Sequence, residues 1–216
     1  CQGAAGMRIY SPAYLQKLSD LCEKHHVLLI ADEIAVGYGR TGKMLAFEHA
    51  QINPDIVCLG KAMSAGCLPI SATVVKEKIF RTFADKPVDH TFYHGHTFAG
   101  NPIACAAAIE TLKVYREKNI VARASASGRL LAEEMERLRD LPGVLDVRCL
   151  GMIGAVEFDG QNGNRIAQAV RKELLKRKIL IRPLGNVVYL MLPLITPETI
   201  ITSTVGALSS AINKQR

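Results

Sequence analysis

Two residues with side chains suited to chemistry, Asp32 and Lys61, each follow a short apolar segment. Asp32 comes directly after residues 27–31 (VLLIA), and Lys61 comes directly after residues 55–60 (DIVCLG). A lysine whose pKa is lowered by burial or by a nearby cation becomes a nucleophile and forms a Schiff base with an aldehyde. The small residues after Lys61 would leave room for such a ligand in a dry site. An aldehyde cofactor between the two side chains is therefore one interpretation, although spacing alone favours a structural ion pair.

The elements around these residues predict an α/β layered fold. Ser11-Pro12 is typical of a helix start, with an N-cap serine followed by proline at the first helical position. The run 27–31 that follows this helix is predicted to be a strand buried on both faces. Further strands are predicted at 56–59 and 68–75. Because ligands bind at the carboxyl ends of strands in α/β sheets, Asp32 and Lys61 are expected where a site would form.

The pattern of apolar residues changes near residue 118. Before it, Asn101-Pro102 predicts the start of a long helix with the core face Cys105, Ala108, Ile109 and Leu112. After it come a helix with Leu131, Met135 and Leu138 inward, strands at 144–149 and 153–158, a helix, a strand pair and a last helix with the stripe Ile201, Val205, Leu208 and Ile212. We therefore predict two domains, residues 1–117 and residues 118–216.

The composition indicates an ordinary globular protein. Of the 216 residues, 49% are hydrophobic and 22% are charged, and no apolar run approaches the roughly 20 residues that span a bilayer. The chain begins at Cys1 without a basic and apolar leader, which we interpret as a piece of a longer protein. The six cysteines show no CxxC spacing, and Cys22, Cys58 and Cys105 lie in apolar segments. We expect reduced core thiols in a soluble cytoplasmic protein.

Two other candidate sites are weaker. The net charge is +7 and the densest basic stretch is 171–178 (RKELLKRK), but its charges lie off the helical face that carries Val170 and Leu174, so a solvated face is preferred to a nucleic-acid site. The histidines at 90, 94 and 96 have a spacing that could seat zinc, but a zinc site needs a supporting set of acids or thiols, which we do not expect here. We predict no metal.

A longer stretch makes the first interpretation much stronger. Residues 28–66 (LLIADEIAVGYGRTGKMLAFEHAQINPDIVCLGKAMSAG) resemble the centre of a class III, fold-type I, pyridoxal-phosphate-dependent aminotransferase. The motifs 2–12 (QGAAGMRIYSP), 94–108 (HGHTFAGNPIACAAA) and 181–193 (IRPLGNVVYLMLP) resemble the family in the same order. The resemblance implies that residues 1–117 are the C-terminal part of the large cofactor-binding domain, a mainly parallel sheet with helices on both faces. Residues 118–216 would be the small α+β domain, and the N-terminal half of the family's length is absent.

The resemblance also assigns cofactor-binding residues. Lys61 would be the catalytic lysine that holds pyridoxal phosphate, and Asp32 would pair with its ring nitrogen. Ile34 would lie against the ring face. His96 and Thr97 would bind the cofactor, with Thr97 reaching the phosphate across a subunit interface, which implies a homodimer with shared active sites.

For the substrate, the motifs resemble most the branch of the family that acts in biotin biosynthesis. Arg182 would bind the carboxylate of 8-amino-7-oxononanoate, which the branch converts to 7,8-diaminononanoate, and Gly95 would shape the same pocket beside Lys61. Relatives that use glutamate as the amino donor have an arginine where this chain has Tyr189. The resemblance therefore disfavours glutamate and favours S-adenosylmethionine.

Alternatives remain open at this point. Leu192-Pro193 replaces a proline pair found in many members, and His96 replaces a proline found in some, so lysine remains an alternative donor. Another class III ω-aminotransferase that uses a diamine or an ω-amino acid is the nearest rival. A non-catalytic binding protein with a truncated aminotransferase fold is the rival from a different class.

Overall fold

The computed structural model describes residues 1–84 and 88–215. Its helices α1 to α6 are Pro12–Lys24, Glu77–Ala84, Pro102–Glu117, Ile120–Glu136, Gly163–Lys176 and Glu198–Asn213, and its strands β1 to β6 are Ile30–Asp32, Ile56–Leu59, Ala72–Val75, Val144–Leu150, Ile153–Phe158 and Val187–Met191. The chain forms two compact units. The α/β unit contains Ser11–Tyr38 and Phe47–Asn119, and the C-terminal unit contains Cys1–Tyr10, Gly39–Ala46 and Ile120–Arg216. The predicted division into residues 1–117 and 118–216 stays a prediction.

The α/β unit begins with the predicted helix. Ser11 caps α1 by accepting a hydrogen bond from the Tyr14 backbone N–H at 3.2 Å. The unit's sheet has the order β1-β2-β3, with β1 parallel to β2 and β2 antiparallel to β3. The α/β fold class is confirmed, and Asp32 ends β1 opposite Cys58 of β2.

The strand predicted at 27–31 is shorter and more exposed than expected. β1 covers only Ile30–Asp32, and the side chains of Val27, Leu28 and Ile30 are 57%, 50% and 59% exposed. A strand is buried on both faces only where layers pack on both sides. Within the part of the chain that the structure describes, these side chains have no such cover, so the prediction of a doubly buried strand is wrong here.

Asp55 joins the three strands at the edge opposite to Asp32. Its Oδ2 accepts a hydrogen bond from the Leu29 N–H at 3.0 Å, and its Oδ1 lies 3.2 Å from the Lys76 ammonium and 3.0 Å from the Lys78 ammonium. The Leu29 N–H and the Lys78 ammonium hold the pKa of this carboxyl group well below its usual value. One carboxylate therefore links the chain before β1, the start of β2 and the chain after β3.

Two further predictions in this unit need correction. The strand predicted at 68–75 covers only Ala72–Val75, because Pro69 has no N–H for a strand ladder and Leu68 is bound through its backbone by Ser64. The buried face of α3 consists of Ala104, Ala108 and Thr111. Ile109 and Leu112 of the predicted face are 68% and 43% exposed.

The C-terminal unit contains the main hydrophobic core. Its sheet is antiparallel in the order β4-β5-β6; α4 packs on β4 and β5, α5 packs on β5 and β6, and α6 packs against α4 and α5. The predicted inward residues are buried: Leu131 and Met135 of α4, Leu138 in the turn after α4, and Ile201, Val205, Leu208 and Ile212 of α6. Val170 and Leu174 of α5 are also buried, while Arg171, Lys172, Lys176 and Arg177 are exposed. The α+β character predicted for this part is confirmed, but the strand pair predicted after α5 is the single strand β6.

The two short segments of this unit are fixed by close packing. Met7 is buried with Ile153, Ala155 and Val187 on β5 and β6. The segment 39–46 crosses the β4–β5 turn, where the Met152 N–H donates to the Arg40 carbonyl at 2.9 Å. Gly151 in this turn has φ +56, and a Cβ there would lie 2.3 Å from the carbonyl carbon of Thr41.

All six cysteines are free thiols. No disulfide joins the cysteines within residues 1–84 and 88–215. Cys22, Cys58 and Cys105 are half-buried rather than core residues, and burial raises the pKa of the Cys149 thiol to about 12. In the described part of the chain, no helix is both long enough and apolar enough to cross a bilayer.

Candidate active site

Asp32 and Lys61 lie at the carboxyl edge of the parallel strand pair. The pairing continues past Asp32, since the Glu33 N–H donates to the Cys58 carbonyl at 2.9 Å. Lys61 follows two residues after the end of β2. The side chain of Ile34 borders this turn, because a Cβ at Gly60 would lie 3.5 Å from Ile34 Cγ2. Two strand ends and one turn therefore bring a carboxylate, an amine and an apolar side chain to the same edge.

Within residues 1–84 and 88–215, neither Asp32 nor Lys61 forms an ion pair. Asp32 Oδ1 accepts a hydrogen bond from the Ile34 N–H at 3.0 Å. Among the described residues, Lys61 has neither a hydrogen bond nor an ion pair through its ammonium, and Asp32 has no ion pair. The ion pair that spacing favoured is thus absent there. Both side chains are exposed, so the dry setting predicted for Lys61 is not formed by these residues alone.

The backbone at Lys61 has an unusual conformation. Lys61 has φ +42 and begins a 3-10 turn that ends at Ser64, and Ala65 follows with φ +52. A non-glycine residue in this left-handed region costs about 1 kcal/mol or more, so surrounding contacts must hold it. Helix α3 packs against this turn, and its small buried residues Ala104 and Ala108 allow the close approach.

A groove of about 770 Å³ opens beside Lys61 within the α/β unit. It is lined by Lys61, Leu68, Pro69, Ile70, Ser71, His96, Phe98, Asn101, Ile103 and Ala104. His96 Nδ1 accepts a hydrogen bond from the Phe98 N–H at 3.1 Å, so a neutral His96 carries its proton on Nε2. Gly95 and Thr97 lie on the same exposed loop.

A second cavity, of about 800 Å³, lies in the C-terminal unit. Arg182 and Tyr189 line it together, with Tyr189 held on β6 opposite Ala155 of β5. Arg40 donates a hydrogen bond to the Leu192 carbonyl just beyond this strand. The two side chains predicted to choose the substrates are thus brought to one cavity.

Sequence reasoning missed several residues near these sites. Arg171 and Lys178 also line the second cavity, although the helical pattern indicated only a solvated face. Ser64 is fully buried three residues after Lys61. A serine that precedes Ala65-Gly66 was a signal for a side-chain-to-backbone turn, since hydroxyls commonly bond to the local backbone in turns.

The fold and the edge geometry define a class of protein. The family model described as Aminotransferase class-III matches residues 1–212, and the chain belongs to this family. Class III aminotransferases use pyridoxal phosphate, and the family assignment made from the motifs is confirmed.

Individual relatives agree with this assignment. The chain is 39% identical to adenosylmethionine-8-amino-7-oxononanoate aminotransferase of Nitratidesulfovibrio vulgaris, over 98% of this chain and 41% of the relative. It is 38% identical to the enzyme of the same name from Synechococcus elongatus, over 99% of this chain and 50% of the relative. The chain therefore spans about half the length of the curated relatives it matches.

Solved structures share the same fold. The adenosylmethionine-8-amino-7-oxononanoate aminotransferase of Methanocaldococcus jannaschii superposes with a TM-score of 0.92 at 33% identity, covering 98% of this chain and 51% of that one. The ornithine aminotransferase of Toxoplasma gondii superposes with a TM-score of 0.87 at 34% identity, covering 99% of this chain and 49% of that one. In that structure, pyridoxal phosphate partially occupies the active site.

Proposed function

We propose that this chain carries the reacting lysine of an aminotransferase that converts 8-amino-7-oxononanoate to 7,8-diaminononanoate in biotin biosynthesis, with S-adenosylmethionine as amino donor. The observation that carries the proposal is the pairing of Arg182 with Tyr189 in one cavity. A planar guanidinium suits the carboxylate of the acceptor. An uncharged phenol cannot form the salt bridge that the second carboxylate of a glutamate donor would require.

The residues at the sheet edge fit pyridoxal phosphate. The amine of Lys61 has no ion-pair partner in the described chain, and the hydrogen bond from Ile34 N–H occupies only Oδ1 of Asp32. A primary amine, a carboxylate and an apolar side chain are the groups that the aldehyde, the ring nitrogen and the ring face require. When bound, the cofactor supplies an electron sink for the pair released at the substrate carbon.

The protein's own groups would then move and hold protons. Asp32 would keep a proton on the ring nitrogen, because a carboxylate beside that nitrogen stabilises its cationic form. Lys61 would act as general base and then as general acid, since its amine lies on a turn at the edge where the substrate carbon would be held. Arg182 would fix the far end of the acceptor through its carboxylate.

The loop with Gly95, His96 and Thr97 would complete the site. We propose that His96 binds the cofactor, that Thr97 binds the cofactor phosphate in the neighbouring subunit of a homodimer, and that Gly95 shapes the pocket for the acceptor. The exposure of this loop in a single chain supports an arrangement in which its partner lies on another chain. We further propose a cytoplasmic location.

Replacement of the reacting amine tests the proposal directly. In the full-length protein, Lys61→Ala should abolish amino transfer to 8-amino-7-oxononanoate and the visible absorbance of lysine-bound cofactor, because no other group can replace its amine. Lys172→Ala, which removes an exposed lysine of α5, should leave both unchanged. Full activity of Lys61→Ala would contradict the proposal, and an inactive wild-type protein that binds no cofactor would favour the non-catalytic alternative.

A second candidate is another ω-aminotransferase. The similarity to the Toxoplasma gondii ornithine aminotransferase, at 34% identity, favours it, whereas Tyr189 argues against a glutamate partner. Wild-type protein should use 8-amino-7-oxononanoate as acceptor in preference to pyruvate and 2-oxoglutarate. A preference for either oxo acid would move the assignment to the second candidate, and the same assay with S-adenosylmethionine, lysine and ornithine would identify the donor.

A further inference from the structure

The side chain of Ser64 is fully buried, and its hydroxyl forms hydrogen bonds with both backbone groups of Leu68. Its exposed fraction is 0%. Its hydroxyl donates to the Leu68 carbonyl at 2.5 Å and accepts from the Leu68 N–H at 3.3 Å. A buried hydroxyl that makes two bonds is a strong local constraint, because its removal leaves two backbone groups without partners.

The constrained segment is the one that holds Lys61. Residues 61–64 form the 3-10 turn, and the Ala65 N–H donates to the Ala62 carbonyl at 2.9 Å. The Cys67 N–H donates to the Ser64 carbonyl at 3.0 Å. The backbone bonds and the hydroxyl together close the chain from 61 to 68, in which Lys61, Ala65 and Gly66 all have positive φ.

The hydrogen bonds between Ser64 and Leu68 also link the turn that carries Lys61 to the chain that lines the groove. Leu68 is the first of four consecutive residues, Leu68, Pro69, Ile70 and Ser71, that line the groove together with Lys61. Pro69 cannot donate a backbone hydrogen bond, so Ser64 supplies the constraint at the start of these four residues.

We propose that Ser64 is a positioning residue for Lys61. Its hydroxyl holds the left-handed turn, and with it the Lys61 backbone, in the conformation from which the lysine side chain starts at the sheet edge. The role is assigned through the turn alone, since both hydrogen bonds of the Ser64 hydroxyl go to Leu68. The inference rests on the proposed function only in taking Lys61 as the amine that captures pyridoxal phosphate.

The experiment measures the rate at which cofactor-free protein binds added pyridoxal phosphate through Lys61, here called capture. It does not measure the rate of amino transfer. Full-length protein freed of cofactor is mixed with pyridoxal phosphate, and the rise of visible absorbance of lysine-bound cofactor is followed. Ser64→Ala should slow this rise by about tenfold, because a turn that is no longer held must first regain the backbone conformation from which the lysine side chain reaches the groove. Ser203→Ala, which removes an exposed hydroxyl on α6 bonded to Ile200, should capture at the wild-type rate.

Hydrogen exchange on the cofactor-free protein gives an independent readout. Peptide 60–68 should exchange at least about tenfold faster in Ser64→Ala, with peptide 144–158 unchanged, because only the turn loses its constraint. If Ser64→Ala does not fold, Ser64→Cys replaces it. This variant keeps a side chain of similar size with a much weaker hydrogen-bonding group, and it should also slow capture.

The outcomes separate the two proposals. A wild-type capture rate in a folded Ser64 variant would overturn the positioning role, even if exchange of 60–68 rose, since Ser64 would then be only a structural group. Capture by Lys61→Ala at the wild-type rate would instead overturn the assignment of Lys61. Loss of capture in Lys61→Ala together with slow capture in the Ser64 variant supports both.

Discussion

Lys61 has an exposed side-chain amine and a left-handed backbone conformation that lysine seldom adopts. A left-handed φ is usually left to glycine, yet here glycines lie on either side of the turn, at Gly60 and Gly66, while lysine occupies the strained position. Backbone strain of this kind is found at functional sites where neighbouring contacts hold it in place. The buried Ser64 and the packing of α3 provide those contacts.

Tyr189 leads to a prediction about the amino donor. Tyr189→Arg should lower the KM for glutamate by about tenfold or more, because a guanidinium can bind the donor's second carboxylate in bidentate fashion. The measurement is a comparison of glutamate and S-adenosylmethionine as donors in the full-length enzyme. Tyr189→Phe should keep the wild-type preference, and an unchanged preference in Tyr189→Arg would show that this side chain does not choose the donor.

At the scale of the elements, Asp55 leads to a prediction about acid stability. The folded-state pKa of Asp55 lies below its unfolded value. The ionised carboxylate therefore contributes fully to the free energy of unfolding above about pH 4, and this contribution is lost as the pH falls through the lower folded-state pKa. Asp55→Asn should therefore lower the free energy of unfolding at pH 7 by about 1 kcal/mol. Urea denaturation should show this difference shrinking below about pH 4. Asp159→Asn, at an exposed carboxylate, is the matched control, and a constant difference down to pH 2 would contradict the prediction.

The β4–β5 turn leads to a prediction about packing. Gly151→Ala should cost more than about 2 kcal/mol, because its Cβ would overlap backbone atoms of Thr41 and Arg40 at 2.3 and 2.6 Å and the residue has φ +56. Gly206→Ala on α6 meets nothing within 4 Å and should stabilise by up to about 1 kcal/mol. Thermal unfolding of both variants measures the contrast, and equal effects would show that the turn can relax.

Elements whose partners lie within the chain were predictable from sequence. The strands β4 and β5 and the stripe of α6 followed from their apolar periodicity because one face of each packs inside the C-terminal unit. β1 and α3 were predicted less well, since periodicity identifies an apolar face but not what covers it. At the site, the strand ends predicted the positions of Asp32 and Lys61, and the roles of these residues came from the family resemblance. Ser64 was missed because its partner is the backbone of Leu68, and the serine before Ala65-Gly66 indicates a local turn without identifying that partner.

On the scale of the whole molecule, the N-terminal segment depends on a distant part of the chain. Met7 is 4% exposed against β5 and β6, and the Gly6 carbonyl accepts a hydrogen bond from Arg148 at 2.8 Å. Met7→Ala should lower the free energy of unfolding by about 2 kcal/mol. Leu145→Ala, at a side chain 58% exposed, should change it by less than about 0.5 kcal/mol. Urea titration checks both, and an unchanged free energy of unfolding in Met7→Ala would show that the buried Met7 side chain does not stabilise this unit.

The chain alternates between its two units, and this limits where the gene can be divided. The chain changes unit after Tyr10, after Tyr38, after Ala46 and after Asn119. A single cut near residue 118 therefore yields a C-terminal product without Met7 and without the segment that meets Gly151. A split reporter or a circular permutant built on this chain would have to supply residues 1–10 and 39–46 together with residues 120–216, because the three segments form one unit. Exchange of whole units between homologous enzymes would accordingly require crossovers at all of these junctions.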